Sequence, residues 1–288
     1  MNGSRRLRHC VALLLCALAL PLAAQDWKTN PHDLIRRAID NENKETAKTT
    51  FFMYLDVKRK KDGSTETKQM MQTPQVVLGR VVAINGQPLS PDQRNNEEKR
   101  LNRLSNNEDE LDKKKKEQQE DDQRARMMVK AIPEAFNFEY VTTEVGPSGD
   151  EAVFKFAPNP NWEPPNRELQ VFTGMSGTLK IAVKPERLTL MQATLFKDVN
   201  FGWGILGKLY KGGDFLIEQT EFAPGHWDVT HMKLHFTGKV LLLKSLDIQQ
   251  DETSTNYRPV PAMNVAQALD KLRELDTEYA KNANGGGK

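Results

Sequence analysis

From residue 51 the apolar side chains recur at every second position, run after run, and one highly charged block of about 40 residues breaks the rhythm. Alternation of this kind puts one row of side chains on each face of an extended strand. A chain dominated by it folds as a sheet with short antiparallel connections. Phe51, Met53, Leu55 and Val57 alternate with Phe52, Tyr54, Asp56 and Lys58, and the turn residues Lys61, Asp62, Gly63 and Ser64 follow. Residues 65–73 read as the return strand. Residues 76–84 read as a third, closing on Asn85 and Gly86, the strongest short hairpin signal in the chain. Beyond the charged block, Phe136, Phe138 and Tyr140 pair with the run around Phe154 and Phe156 across a turn at residues 146–150. Residues 177–183, 188–198, 214–222, 227–236 and 239–249 are strand-like as well, which makes about ten to eleven antiparallel strands. Between them, Pro158, Pro160, Pro164 and Pro165 keep residues 157–165 out of any ladder and extended over a surface.

The charged block, residues 91–131, is helical by its caps. Ser90, Pro91 and Gln93 form a capping box with proline at the first position, and Ser105 with Glu108 repeats the box, so helices are expected near 91–104 and 106–131. Residues 91–130 hold 11 acidic and 11 basic side chains. Leu101, Leu104 and Leu111 share a seam that fails at Lys115, Gln118 and Asp122 and resumes at Ala125, Met128 and Val129. The middle of the block is therefore expected to be solvated. Two readings stand: a helical hairpin that only decorates the sheet, or one that binds a partner such as an envelope protein.

The N-terminus has the three parts of a secretory signal peptide: Arg5, Arg6 and Arg8, an apolar run from Cys10 to Leu22, then Ala23 and Ala24. The run is shorter than the roughly 20 residues a membrane span needs and contains Pro21. Removing residues 1–24 takes both cysteines, Cys10 and Cys16, and with them any disulfide, thiolate metal site or cysteine nucleophile. It also takes three arginines, so the formal charge of +2 becomes −1. A near-neutral chain lacks the basic footprint that nucleic acid requires. The mature chain opens on a helix, with Asn30 as cap, Pro31 at the first position, and Leu34, Ile35, Ala38 and Ile39 as its buried face. A last helix, residues 261–281, carries Val265, Ala268, Leu269, Leu272 and Leu275 at helical spacing, and no transmembrane span is expected.

Residues with chemical potential do not converge. Gly202, Gly204 and Gly207 match the dinucleotide fingerprint by letter, but the long helix and parallel βαβ unit that make it work are missing from the pattern. In a strand, His231 and His235 share a face about 13 Å apart, too far for one metal ion, and His226 stands further off. Ser176 lacks the glycine spacing of a nucleophile elbow. No catalytic, metal or cofactor site is expected. The feature that does stand out is apolar crowding: Phe201, Trp203, Ile205, Leu206, Leu209 and Tyr210 fall within ten residues, jointed by glycines and without alternation. They either line and gate an apolar cavity or pack as ordinary core.

The order of elements resembles the periplasmic lipoprotein-carrier (LolA-like) superfamily, and its uncharacterised exported relatives most. The resemblance rests on residues 174–257: Gly177, Thr178, Leu179, Lys180 and Ile181, the Trp203 loop, the strand around Gln219, Pro224, Gly225, His226 and Trp227, then Gly238, Lys239 and Tyr257. It implies an α+β fold in which a strongly curved antiparallel sheet, an open half-barrel, wraps over helices. Residues 25–90 and 132–284 would form that single domain, with 91–131 inserted. It further implies a non-enzymatic carrier in the periplasm, including association with the outer membrane, that holds a lipid or lipidated polypeptide in an apolar cavity. The alternative is an envelope scaffold that uses the charged hairpin or a sheet edge.

Overall fold

Each run of period two becomes a strand in the computed structural model, which describes residues 26–44, 50–202, 206–240 and 244–285. Helix α1 (Pro31–Asn43) precedes β1 (Phe51–Arg59), β2 (Thr65–Gln72), β3 (Val77–Ile84) and the two-residue β4 (Gln87–Pro88). Helices α2 (Pro91–Asn106) and α3 (Glu108–Ala135) come next. After them lie β5 (Phe136–Gly146), β6 (Gly149–Pro158), a 3-10 segment (Glu168–Gly174), β7 (Met175–Ala182) and β8 (Arg187–Leu195). The chain continues as β9 (Val199–Phe201), β10 (Gly207–Leu209), β11 (Asp214–Ala223), β12 (His226–Val240), β13 (Lys244–Val260) and α4 (Val265–Gly285). The sheet runs β4-β3-β2-β1-β13-β12-β11-β8-β7-β6-β5, entirely antiparallel, with β9 and β10 paired beside β12 off this path. Asn85 and Gly86 both take positive φ, as a tight hairpin of primed type requires, and the Asn85 side chain accepts from the Thr65 amide at 2.8 Å.

The sheet is open, and α3 shows how far it curls. Gln118 on this helix reaches Val77 on β3, near one end of the sheet, and the helix then runs straight into Phe136 of β5, the opposite end. The intervening 18 residues of helix span only about 27 Å at 1.5 Å per residue. Nine inter-strand steps in a flat sheet would cover about 43 Å. The two ends are therefore bent toward each other, as in a half-barrel.

Cross-strand register shows that the sheet buries opposite faces at its two ends. The row Phe154, Leu179, Met191, Ile217, Met232, Glu252 and Lys58 follows one face from β6 to β1. On that inner face the larger core joins β5–β8 to Leu34, Ile35 and Ile39 of α1 and to Ile132 and Ala135 of α3. Met53 and Met71 pair on the other face, with Leu78 beside them, and pack against Leu101 and Leu104 of α2 and Leu269 and Leu272 of α4.

Several boundaries depart from the sequence reading. Asn107, not Ser105, caps α3, accepting from the amides of Asp109 and Glu110, whereas the Ser90–Gln93 box forms in full. Asn30 stands at the cap of α1 but makes no capping hydrogen bond. Helix α3 continues through Pro133 to Ala135 because Ile132 and Ala135 are buried in the larger core, and that packing outweighs the one hydrogen bond the proline forfeits. The expected solvated middle of the insert is interrupted: Gln118, exactly one of the positions where the apolar seam fails, is bonded to the sheet.

Candidate functional site

Of the four central strands, β1, β12 and β11 are half-buried along most of their length and β13 is half-buried or exposed throughout, in contrast to the fully buried inner rows of β6 and β7. On the inner face they present Phe215, Ile217, Met232 and Leu234, all half-buried, with Phe215 and Leu234 leaning on the larger core. Towards the β11–β12 turn the strip becomes aromatic. Phe222 and Tyr257 stack at 4.0 Å, Tyr54 stacks on Tyr257 at 4.8 Å, and Phe52 meets Phe222 edge-on at 4.9 Å. His226 closes the group against Phe52 at 5.0 Å. A bulge in β13, where Asn256 takes a positive φ, brings Tyr257 opposite Tyr54.

Acidic groups border the aromatic end. The Tyr257 hydroxyl donates to Asp228 at 3.4 Å, Ser254 donates to Asp56 at 3.4 Å, and Lys58 pairs with Glu252 at 2.6 Å. Burial, reinforced by the neighbouring Glu252 charge, raises the Asp56 carboxyl above the usual range. Burial and the Asp228 charge push the Tyr54 and Tyr257 hydroxyls well above theirs, so both stay protonated donors. At the α1 side of the strip, Gln219 donates to Glu42 at 3.0 Å and Arg187 pairs with Glu42 at 3.3 Å, which ties the helix to the sheet. Such a surface offers apolar contact along β11 and β12 and hydrogen bonds at the aromatic end, while the same face of β13 and β1 carries Gln250, Glu252, Lys58 and Asp56. It presents no nucleophile aligned with a base.

The crowded apolar segment turns out to be strand at both ends rather than loop throughout. Phe201 pairs with Gly207 in the β9–β10 hairpin, and Leu209 pairs with Gly238 of β12, where a Cβ on the glycine would collide with the Lys208 carbonyl. Phe201 and Leu209 pack against the larger core, Tyr210 is half-buried, and Leu206 is 37% exposed. Trp203 and Ile205 lie outside the described residues. The histidines do not converge: His231 bridges Glu218 (2.9 Å) and Asp251 (3.3 Å) on the outer face, with His235 near Asp214, while His226 joins the aromatic group. Among the described residues no cluster has the makings of a metal site. The aromatic group escaped the sequence reading because Tyr257 meets Tyr54 only through the bulge. Alternation alone gives no sign of that pairing.

No protein-family model and no curated protein matches the chain. Among solved structures, a putative outer membrane lipoprotein-sorting protein domain from Vibrio parahaemolyticus is similar at 9% identity, over 85% of this chain and 97% of that one, with a TM-score of 0.30. The class that the coordinates define is an open, curled antiparallel sheet with helices packed on both of its faces. Among the described residues no helix is long and apolar enough to cross a membrane.

Proposed function

We propose that this chain is a non-catalytic, exported carrier or binding protein that holds an acyl chain or a lipidated polypeptide against the inner face of its central strands. The observation that carries the reading is the set of half-buried apolar side chains Phe215, Ile217, Met232 and Leu234 on one face of β11 and β12, together with the Tyr54, Phe222 and Tyr257 stack toward the β11–β12 turn. Apolar side chains in a folded sheet are ordinarily buried by a second layer, and a strip left half open gains stability when a ligand supplies that layer. The proposed contact extends to Phe201 and Leu209, which pack against the larger core, and to half-buried Tyr210; Trp203 and Ile205, named from the sequence for the same role, lie outside the described residues. The N-terminal leader supports export to the periplasm, and the lack of cysteine beyond it fits that route.

Titration with a fluorescent fatty acid tests this reading. Saturable binding that is lost in Met232→Glu supports it. Absence of binding, together with no acyl species in native mass spectra of protein recovered from cells, rules it out. A second reading, an envelope scaffold, is favoured by the outer strand β5, where Val141 and Val145 are exposed, Val145 by 89%. Recovery of a stoichiometric protein instead of a lipid in the same spectra would favour it.

A further inference from the structure

Four strand ends lie side by side at one end of the sheet. Phe201 of β9 is opposite Gly207 of β10, Gly207 is opposite Val240 of β12, and Val240 is opposite Lys244 of β13. Leu206, immediately before Gly207, is 37% exposed there. Lys239, Lys244 and Lys208 stand within one residue of these ends, Lys239 paired directly with Lys208 across the strands. About 13 Å back from Phe201 and Gly207, at four residues of strand rise, the chain entering β9 and the chain leaving β10 add Lys197 and Lys211, with Phe196 exposed beside Lys197.

The charge at this end is one-sided. Lys197, Lys211, Lys239 and Lys244 are all exposed, and among the described residues none of them makes an ion pair. The acidic groups nearby are already engaged. Asp198 takes the Lys208 ammonium at 2.8 Å and the Lys211 amide at 2.8 Å, Asp247 pairs with Lys61, and Asp214 faces His235. The residues that join the strand ends, 203–205 and 241–243, lie outside the described residues, and the surface is defined without them.

We propose that this end of the sheet docks on an anionic phospholipid surface, with Leu206 entering the acyl boundary and Lys197, Lys211, Lys239 and Lys244 meeting lipid phosphates. An exposed apolar side chain at the strand ends, Leu206, backed by exposed lysines that make no ion pair among the described residues, combines the two attractions that hold a peripheral protein at a bilayer. Pairing of Asp198 with Lys208 and of Asp247 with Lys61 reduces the repulsion that would oppose such contact. The surface is separate from the inner-face strip and does not depend on what that strip binds.

The test is co-sedimentation of the purified protein, with the N-terminus the cell leaves on it, with phosphatidylcholine vesicles that either contain or lack phosphatidylglycerol. Binding to the anionic vesicles is expected to exceed binding to neutral ones by about tenfold or more and to fall as salt is raised. The variant K197E/K211E/K239E/K244E is expected to lose this binding while it melts as the wild type does and still binds the fatty-acid probe. K113E/K116E on the exposed face of α3 is expected to keep it. Leu206→Asp is expected to weaken it with the salt dependence retained. Equal binding to both vesicle types, unchanged binding in the four-lysine variant, or no vesicle binding at all overturns the proposal. A protein captured at this end in place of vesicles does so too. Vesicle binding that persists in a protein unable to bind the probe supports this docking while refuting the carrier reading.

Discussion

Gln118 of α3 clamps Val77 of β3 at both polar atoms of its backbone: the side-chain oxygen accepts from the Val77 amide at 2.9 Å, and the side-chain nitrogen donates to its carbonyl at 2.8 Å. A carboxamide used this way replaces a neighbouring strand. Two residues on, Arg100 donates to the Gly79 carbonyl at 2.6 Å, and two beyond that, Glu97 accepts from the Val81 amide at 2.9 Å. Every outward-facing residue of β3 from Val77 to Val81 is thus capped by a helix side chain. An edge strand with free amides and carbonyls is a template for aggregation, and here the charged block covers it. Gln118→Ala should cost about 1–3 kcal/mol in denaturant unfolding and speed hydrogen exchange at the Val77 amide. Unchanged exchange there would show that the clamp does not protect the edge.

A second device locks α4 in place. Asp276, 2% exposed, accepts from Arg80 of β3 at 2.9 Å and from Arg94 of α2 at 2.7 Å, and Arg80 is itself 3% exposed. Asp276→Ala leaves Arg80 buried with only Glu98 as counter-charge, and the expected loss is about 3–5 kcal/mol. The paired change Arg80→Met with Asp276→Leu should recover much of that loss, because it removes both desolvated charges together. Equal destabilisation by the single and the double variants would show that packing, not charge, sets the cost.

Asp56 allows a test by pH. Its carboxyl is raised by burial first and by Glu252 second, so the folded chain holds this proton more tightly than the unfolded one. Between the unfolded value and the raised folded value, stability falls as pH rises, and above both the folded state carries a constant penalty. Asp56→Asn removes the penalty and can keep the hydrogen bond from Ser254. Its Tm should exceed that of the wild type at neutral pH, and the gap should close as pH drops below the ordinary aspartate range. A gap that is constant with pH would mean that ionisation of Asp56 is not its source.

How far the sequence reveals this fold depends on which force places each element. Strands such as β1 and β6 are legible because one face is apolar, and alternation records that directly. The capping box at Ser90 and Gln93 is legible because it is local. What the helical block does is not legible, since Gln118, Arg100 and Glu97 act on a strand some 16 to 41 residues away, and a polar side chain that caps a backbone looks the same in sequence as one in water. The heptad seam fails at Gln118 because that position faces the polar edge of a strand, where a carboxamide serves better than leucine. Burial of opposite faces at the two ends of the sheet is hidden too. In β1 both alternating rows, Phe51 with Met53 and Phe52 with Tyr54, are apolar or aromatic, and only the register shows which face of the sheet each row joins.

The central strip and the second core can be separated by mutation. Met232 is half-buried on the inner face, while Leu272 of α4 is fully buried on the outer face. A carboxylate at Met232 still reaches water in the free protein, so Met232→Glu should change Tm little while it removes binding of an acyl probe, whose passage across the strip would bury that charge. Leu272→Ala leaves a cavity in the smaller core and should cost about 2–5 kcal/mol, yet probe affinity measured well below its Tm should match the wild type. Urea unfolding and probe titration of both variants check the two halves together. If Met232→Glu melts as early as Leu272→Ala, the strip is closed core rather than an open face. If probe affinity falls equally in both, the acyl chain is bound by the fold as a whole and not by the inner face of β11–β13.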